Sequence, residues 1–239
     1  MAMPDENVER ILVIAAHPDD VDFGAAGTVA TWTDVGIAVT YCVVTNGDAG
    51  GFDPAIARSE IAGIRQAEQT AAAKEVGVDE LVFLGYPDGY LEPTLALRRD
   101  LARVIRQVRP QRVVCQAATR NLDRIFASHP DHLAAGEATM CAVYPDARNE
   151  FWCPELVTEG HQPWSVSEVW IMGGQEPNHF VDVTAQVERK LGALRRHESQ
   201  HRNPDGIIEM VSAWLLVSGQ TAGLPDGHSA EAFRVVATG

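Results

Sequence analysis

The chain has 239 residues, of which 46% are hydrophobic. This composition excludes a disordered or fibrous protein, and the length favours a single domain that spans residues 1–239. Its 33 acidic residues outnumber its 19 basic residues, and the formal net charge of −14 argues against nucleic acid or an anionic membrane as a partner. No positive segment opens the chain and no apolar stretch approaches the roughly 18 residues of a membrane span, so we expect a cytoplasmic protein. The four cysteines form no C-x-x-C pair, which predicts a reducing compartment and no thiolate metal site.

Short apolar runs alternate with longer segments in the first two-thirds of the chain. Each run is brief enough to be a strand that is buried on both faces of a sheet. The runs cover residues 11–16, 37–45, 81–84 and 112–117. Because helix-length segments separate these strands, the strands must run parallel with right-handed crossovers. The pattern predicts an α/β fold, Rossmann-like and doubly wound, with a mostly parallel sheet and helices on both faces.

Two of the intervening segments have clear helical spacing. The first covers about residues 58–76, and its apolar positions approximate one face: Ile61, Ile64, Ala67, Ala71 and Val76. The second precedes Pro110 and carries a regular apolar stripe: Leu97, Leu101, Val104, Ile105 and Val108. Beyond about residue 144 the pattern is less regular and predicts a strand at 168–172, helices at 184–197 and 207–217, and a terminal apolar run at 233–237.

Polar side chains follow each of the first four predicted strands. Sites in open parallel sheets form outside the carboxyl ends of the strands, so these loops are where chemistry is expected. The loops contain His17-Pro18-Asp19-Asp20, Asn46-Gly47-Asp48, Tyr86-Pro87-Asp88 and Ser128-His129-Pro130-Asp131-His132. The repeated His-Pro-Asp unit predicts that the first and fourth loops act together.

Histidines and carboxylates from these two loops form a candidate metal site. Two imidazoles with one carboxylate leave a coordination position open, as in catalytic zinc sites. The same ligand types occur in Fe(II) oxygenases, which is the alternative enzyme class, and a non-catalytic metal-binding module is a third hypothesis. A simpler explanation is that Asp19 or Asp20 only caps a helix that begins near Asp22.

The two His-Pro-Asp motifs resemble the signature of the LmbE-like de-N-acetylases, also called the PIG-L family. The resemblance implies a Rossmann-like, zinc-dependent hydrolase that removes acetyl groups from N-acetylglucosamine conjugates such as thiol-cofactor precursors or secondary metabolites. Further matching segments are Phe23-Gly24-Ala25-Ala26-Gly27-Thr28, Thr45-Asn46-Gly47, Arg65-Gln66-Ala67-Glu68, Leu84-Gly85-Tyr86-Pro87-Asp88, Asp182-Val183-Thr184 with Lys190, and His197-Glu198-Ser199-Gln200.

The resemblance also implies roles for residues of the two motifs. His17, Asp20 and His132 would bind Zn²⁺, in a site that would also accept Fe²⁺. Asp19 would be the general base for the water that the metal activates, and His129 the charged partner of the tetrahedral intermediate. The implied partner is a small amino-sugar substrate, with no nucleic acid and no membrane, and a homo-oligomer is compatible with the sequence.

Three more residues take implied roles around this centre. Asp131 would orient His129, and Arg65 and Asp88 would contact the sugar. The sequence alone also allows Arg65 to be a surface residue whose stem covers the core, and Asp88 to be an ordinary turn acid. Many family members have Glu where this chain has Val21, and the contact of that Glu is either missing here or supplied by Asp22.

Two further features have simple structural explanations. Gly24 and Gly27 do not form the G-x-G-x-x-G fingerprint of dinucleotide sites, so we expect them to allow close packing of a helix on a strand. The late histidines, including His197, lack ligand spacing, and we expect them to be solvated or structural.

Overall fold

The computed structural model describes residues 2–123 and 125–239, and this part of the chain is built around a seven-stranded sheet. The strands are β1 (Arg10–Ala15), β2 (Ala38–Thr45), β3 (Glu80–Tyr86), β4 (Arg112–Gln116), β5 (Glu168–Met172), β6 (His179–Asp182) and β7 (Ala230–Ala237). Their order is β3-β2-β1-β4-β5-β7-β6. Neighbouring strands from β3 to β5 pair in parallel, whereas β7 is antiparallel to both β5 and β6.

Helices cover both faces of the sheet. They are α1 (Asp20–Gly24), α2 (Ala26–Asp34), α3 (Arg58–Glu75), α4 (Leu95–Val108), α5 (Pro130–Cys141), α6 (Pro154–Thr158), α7 (Val187–Arg195) and α8 (Pro204–Thr221). Helices α2, α3 and α7 share one apolar cluster with the sheet, and α4 and α5 share the cluster on the opposite face. The predicted doubly wound, mostly parallel fold is therefore confirmed.

Alternate residues of β1 belong to different clusters. Ile11 and Val13 pack with α2 and α3, whereas Leu12 and Ile14 pack with α4 and α5. A strand that is buried on both faces needs apolar residues at every position, which is why the sequence of β1 shows no alternation. Among the described residues, no helix combines the length and the apolarity that crossing a bilayer requires.

The order of the strands determines where in the sheet a functional site is expected. From β1 the chain moves to β2 and β3 on one side, and α4 then carries it back to β4 on the other side of β1. The connections that leave β1 and the connection that enters β4 therefore run to opposite sides. In such sheets a crevice forms outside the carboxyl ends of the two strands at this point. The loops that follow β1 and β4 are those that contain the two His-Pro-Asp motifs.

The predicted apolar face of the α3 segment is confirmed at Ile61 and Val76, which are buried, but it is wrong at Ala67. Ala67 is exposed, and the helix buries Arg65 and Gln69 together with Ile61. A count of apolar residues cannot find this face, because two of its members are polar and are buried by hydrogen bonds to the loop after β1. By contrast, the stripe on α4 is confirmed, with Leu97 and Leu101 fully buried.

Strand β6 has no counterpart in the sequence analysis. It has four half-exposed or exposed residues and pairs only with β7 at the edge of the sheet. A segment this short offers too few positions for a periodic signal. The other strands lie within two residues of their expected ends, apart from β7, which begins three residues before the predicted terminal run.

The packing interpretation of two glycines is confirmed. A Cβ atom at Gly24 would lie 2.6 Å from Sδ of Met172 on β5, and one at Gly27 would lie 2.9 Å from Cβ of Val183. Both distances are shorter than van der Waals contact. A side chain at Gly27 would push α2 away from Val183, which follows β6, and one at Gly24 would require Met172 on β5 to move.

Candidate active site

The first motif forms the sharp transition from β1 into α1. His17 follows the strand, and α1 begins at Asp20. Asp19 precedes the helix in the left-handed region at φ 96° and makes no capping hydrogen bond with its side chain. The capping explanation for Asp19 is therefore wrong. A non-glycine residue in this region is strained by about 1–3 kcal/mol, and such strain occurs most often at functional sites.

The second motif begins α5. His129 is the N-cap residue, and its Nδ1 accepts a hydrogen bond from the backbone N–H of Asp131 at 3.2 Å. Pro130 occupies the first helical position, where its missing N–H costs nothing and its fixed φ suits the helix. The first turn of α5 then directs His132 towards His17, and the ring centroids lie 5.1 Å apart.

Three side chains form a compact triangle of ligand atoms. Nδ1 of His17 lies 3.2 Å from Nε2 of His132 and 3.3 Å from Oδ2 of Asp20. Oδ1 of Asp20 lies 3.0 Å from Nε2 of His132. A tetrahedral ion with bonds of about 2.0–2.1 Å separates its ligands by about 3.3 Å. The three distances join two nitrogens to each other and to the two different oxygens of one carboxylate, and each is close to the separation between ligands of a small divalent cation.

The other side of the His17 ring faces two more carboxylates. Its Nε2 lies 3.1 Å from Asp88 and 3.2 Å from Asp131. Donation from Nε2 leaves the Nδ1 lone pair free to face the triangle, as the ligand histidines of metal sites require. Burial alone would lower the pKa of His17, but the surrounding acids, Asp20 foremost, raise it to about 12. This excess of negative charge around a buried imidazole suits a bound cation.

Asp131 contacts His17 on the side of its ring away from Asp20 and His132. Its buried carboxylate accepts hydrogen bonds from the backbone N–H groups of Gly89 at 2.7 Å and Leu91 at 3.2 Å, in addition to contacting His17. Of the groups of Asp131, only its backbone N–H has a described contact with His129. The carboxylate therefore orients His17 and the loop after β3, which differs from the role that the family resemblance implies.

Asp19 lies beside the triangle with a strongly perturbed carboxyl group. Burial raises the pKa of Asp19 to about 6, although the charge of Arg65 opposes the shift. Its Oδ2 lies 3.1 Å from Nη2 of Arg65, and its backbone N–H donates to Oε1 of Gln69 at 2.7 Å. A buried carboxylate of this pKa can accept a proton near neutral pH.

Arg65 is buried rather than on the surface. Only 4% of the residue is exposed, and its guanidinium donates to the carbonyl oxygens of Pro18 and Gly47 as well as contacting Asp19. Gly47 has φ 65°, and a Cβ atom there would lie 2.6 Å from Nη1 of Arg65. The surface explanation for Arg65 is therefore wrong, and the loop after β2 needs glycine at this position.

Asp88 is more than an ordinary turn acid. Its carboxylate contacts His17 and lies 3.6 Å from Nη1 of Arg65, and its backbone N–H donates to Oδ1 of Asp48 at 3.0 Å. The loops after β1, β2 and β3 are thus joined through polar contacts.

Three buried polar residues next to the site were missed or left aside in the sequence analysis. Gln69 donates to Oδ2 of Asp22 at 2.9 Å, and Nε2 of His197 lies 2.8 Å from the same oxygen. All three residues are fully buried. Asp22 thus makes polar contacts next to Val21, the position where many family members have Glu. The signal that could have found Gln69 is its spacing of four residues from Arg65, which places both on one face of α3.

Comparisons with known proteins identify the family. Residues 12–143 match the PIG-L family, described as GlcNAc-PI de-N-acetylase. A diacetylchitobiose deacetylase of Thermococcus kodakarensis is 33% identical over 234 residues, covering 98% of this chain and 85% of the relative. A probable N-acetyl-alpha-D-glucosaminyl L-malate deacetylase 2 of Bacillus anthracis is 28% identical, covering 88% of this chain and 93% of the relative.

A solved structure extends the agreement to the fold. The N,N'-diacetylchitobiose deacetylase from Pyrococcus horikoshii, complexed with its inhibitor MPG, superposes with a TM-score of 0.89 at 28% identity. The match covers 98% of this chain and 85% of that one. These relatives do not favour the oxygenase hypothesis. The chain belongs to the PIG-L family of de-N-acetylases and is a hydrolase that acts on amide C–N bonds.

Proposed function

We propose that the protein is a zinc-dependent hydrolase that removes the N-acetyl group from an N-acetylglucosamine-type conjugate. The observation that carries the proposal is the triangle of His17, Asp20 and His132 with the carboxylate of Asp19 beside it. The names of the relatives, which include deacetylases of diacetylchitobiose and of a glucosaminyl malate, support this substrate class.

We assign the metal ligands to His17, Asp20 and His132. Zinc in such a site lowers the pKa of a bound water to about 7 and polarises a carbonyl group. Fe²⁺ accepts the same donor types. Metal analysis of the purified protein therefore identifies the native metal. The carboxylates of Asp88 and Asp131 hold His17 in the required tautomer.

Asp19 acts as the general base. It takes a proton from the attacking water, a task that contributes roughly 10²–10⁴-fold to the rate when the base is well placed. Arg65 and Gln69 hold Asp19 in position through its carboxylate and its backbone N–H, respectively.

His129 stabilises the negative charge that develops on the carbonyl oxygen. Because its Nδ1 accepts a backbone N–H, the ring proton of the neutral form lies on Nε2, which is then the donor. Burial lowers the pKa of His129, which supports the neutral form as the donor in this proposal, whereas the resemblance implies a charged partner. The leaving amine receives its proton from Asp19 or from His129.

The sugar binds on the side of the centre where Arg65 and Asp88 lie. We assign its hydroxyl groups to Asp88 as acceptor and to Arg65 as donor, since these side chains lie 3.6 Å apart at the junction of three loops. Arg65 has the second task of holding Asp19.

The test combines a substrate panel with metal analysis. Purified protein is assayed with N,N'-diacetylchitobiose, N-acetylglucosaminyl malate and N-acetylglucosaminyl inositol, and free amine and acetate are both quantified. We expect equal amounts of the two products from at least one compound, one zinc ion per chain, and loss of activity on chelation that zinc restores. Oxygen consumption with iron, or no acetate from any compound, would contradict the proposal.

A further inference from the structure

A cavity adjoins the candidate active site, and the residues that line it do not include Arg65 or Asp88. Its volume is about 490 Å³, and its wall includes Asp19, Asp20 and His132. Cavities of about 300–1,000 Å³ typically hold a whole drug-sized ligand. The methyl group of an acetamide would fill only a small part of this space.

The remaining wall is mostly apolar. Phe23 lines it from α1 and Met172 from β5, and Met210, Trp214 and Leu215 line it from α8. Phe126 also lines it, and its ring stacks on that of Trp214 at 14°, with centroids 6.2 Å apart. Such a surface favours an apolar occupant, because the occupant and the wall both leave water.

A charged residue in the wall does not change this character. Glu231 reaches the cavity, but its carboxylate is paired with the buried Lys190 at 2.6 Å and accepts the backbone N–H groups of Gly27 and Thr28. Its charge is therefore satisfied within the protein, so it does not call for a cationic ligand.

The position of the cavity selects which part of the substrate enters it. The acyl group is bonded directly to the carbonyl carbon that reacts beside Asp19, whereas an aglycone is several bonds away. Arg65, Asp88 and the exposed His129 are absent from the wall described for the cavity, and they form the polar side of the centre. If the sugar binds at Arg65 and Asp88, as the proposed function has it, the acyl group is left to point towards α8.

We propose that this cavity receives the acyl chain of the substrate and that the enzyme hydrolyses N-acyl groups longer than acetyl; the proposal rests on the proposed function of the same site. The water oxygen forms a bond with the carbonyl carbon, the C–N bond breaks, and a water proton goes to the amine nitrogen. The products are a free carboxylic acid and the amino sugar, and no other reactant is required.

The test uses one sugar with acyl chains of increasing length. N-acetyl, N-butanoyl, N-hexanoyl and N-octanoyl glucosamine are assayed with the intact enzyme, and kcat/KM is measured from free amine. Each added methylene that leaves water should raise kcat/KM by about three- to fourfold until the cavity is full.

Two variants of α8 connect this gain to the cavity. Ser218→Phe places a ring in the wall and should lower the ratio of hexanoyl to acetyl kcat/KM at least tenfold. Val217→Phe places the same ring at a position that is 60% exposed and should keep the wild-type ratio. Ala232→Leu, on β7, narrows the cavity from another wall and should also lower the ratio if Ser218→Phe does not fold.

The outcomes separate this proposal from the proposed function. If acetyl is hydrolysed and kcat/KM falls steadily with chain length, the cavity does not take the acyl chain and the proposal is overturned, while the deacetylase function stands. In a further outcome, octyl N-acetylglucosaminide has a higher kcat/KM than N-acetylglucosamine, Ser218→Phe removes this gain, and the acyl series shows no gain. The cavity then takes the aglycone, and the proposal is also overturned. If no N-acyl glucosamine or panel compound is hydrolysed, both proposals fail.

Discussion

The carboxylate of Asp131 lies 3.2 Å from Nε2 of His17, across the ring from the Nδ1 atom that faces Asp20 and His132. The same carboxylate accepts two backbone hydrogen bonds from the loop after β3. One buried acid thus contacts both a proposed ligand histidine and a neighbouring loop, so we expect metal affinity and stability to depend on it together.

Asp131→Asn should weaken both properties. An amide donor would face the N–H groups of Gly89 and Leu91, and the loss of buried hydrogen bonds should lower the free energy of unfolding by about 1–3 kcal/mol. Removing the partner of a ligand histidine should weaken metal binding about 10- to 100-fold. Chelator competition and urea unfolding measure the two effects. Asp79→Asn, at an exposed position, is the control and should change neither.

His132→Ala should remove the metal while leaving the fold intact. The variant keeps two of the three proposed ligands, so zinc content after dialysis should fall from about one ion per chain to a small fraction, and activity should fall with it. His161→Ala removes a histidine that lies outside the site and serves as the control. Full zinc occupancy in His132→Ala, measured by elemental analysis, would exclude this residue as a ligand.

Asp19→Asn should separate catalysis from metal binding. Asparagine tolerates the left-handed backbone at this position and keeps the N–H that Gln69 accepts, but it cannot take a proton. We expect kcat to fall roughly 10²–10⁴-fold, with zinc content unchanged. Turnover close to wild type would remove Asp19 as the base and require another proton acceptor.

Gln69→Ala should act through position rather than through chemistry. The substitution leaves the N–H of Asp19 without its acceptor and takes a donor from Asp22. Buried groups left unpaired cost about 1–3 kcal/mol each, and a shift of the base should lower kcat about tenfold or more with little change in KM. Gln66→Ala is the matched control, because Gln66 lies in the same helix but is exposed. An equal loss in both variants would mean that α3 itself is disturbed.

Much of the architecture follows from local patterns in the sequence. Strands buried on both faces, such as β1 and β2, require unbroken apolar runs, and α4 shows its buried side as a stripe. The positions of the two His-Pro-Asp motifs after β1 and β4 follow from the same strand order. The sheet and the edge at which the site lies were therefore predictable.

The detailed contacts of the site were not predictable in this way. The buried side of α3 is defined by Arg65 and Gln69, whose burial depends on partners in another loop. Likewise, the family resemblance implies that Asp131 orients His129, whereas its carboxylate contacts a histidine 114 positions away. Such pairings depend on the three-dimensional meeting of loops, and no local period in the sequence encodes them.

The four cysteines should differ in their reaction with iodoacetamide. Burial raises the pKa of Cys42 and of Cys115 to about 12, and neither side chain reaches solvent. Because the thiolate is the reactive form, these two should stay unmodified in the folded protein at pH 8. Cys141 and Cys153 are partly exposed, and although burial also raises the pKa of each thiol, both should be modified, and faster at pH 9 than at pH 8.

The measurement is peptide mass spectrometry after timed labelling, first without and then with urea. All four thiols should react once the chain unfolds, so the folded-state protection of Cys42 and Cys115 reports the opening of the sheet at β2 and β4. Modification of Cys42 at the rate of Cys153 under native conditions would show that β2 opens readily. The loop that follows β2, which holds Arg65 through Gly47, would then be too loosely anchored for the rigid site described above.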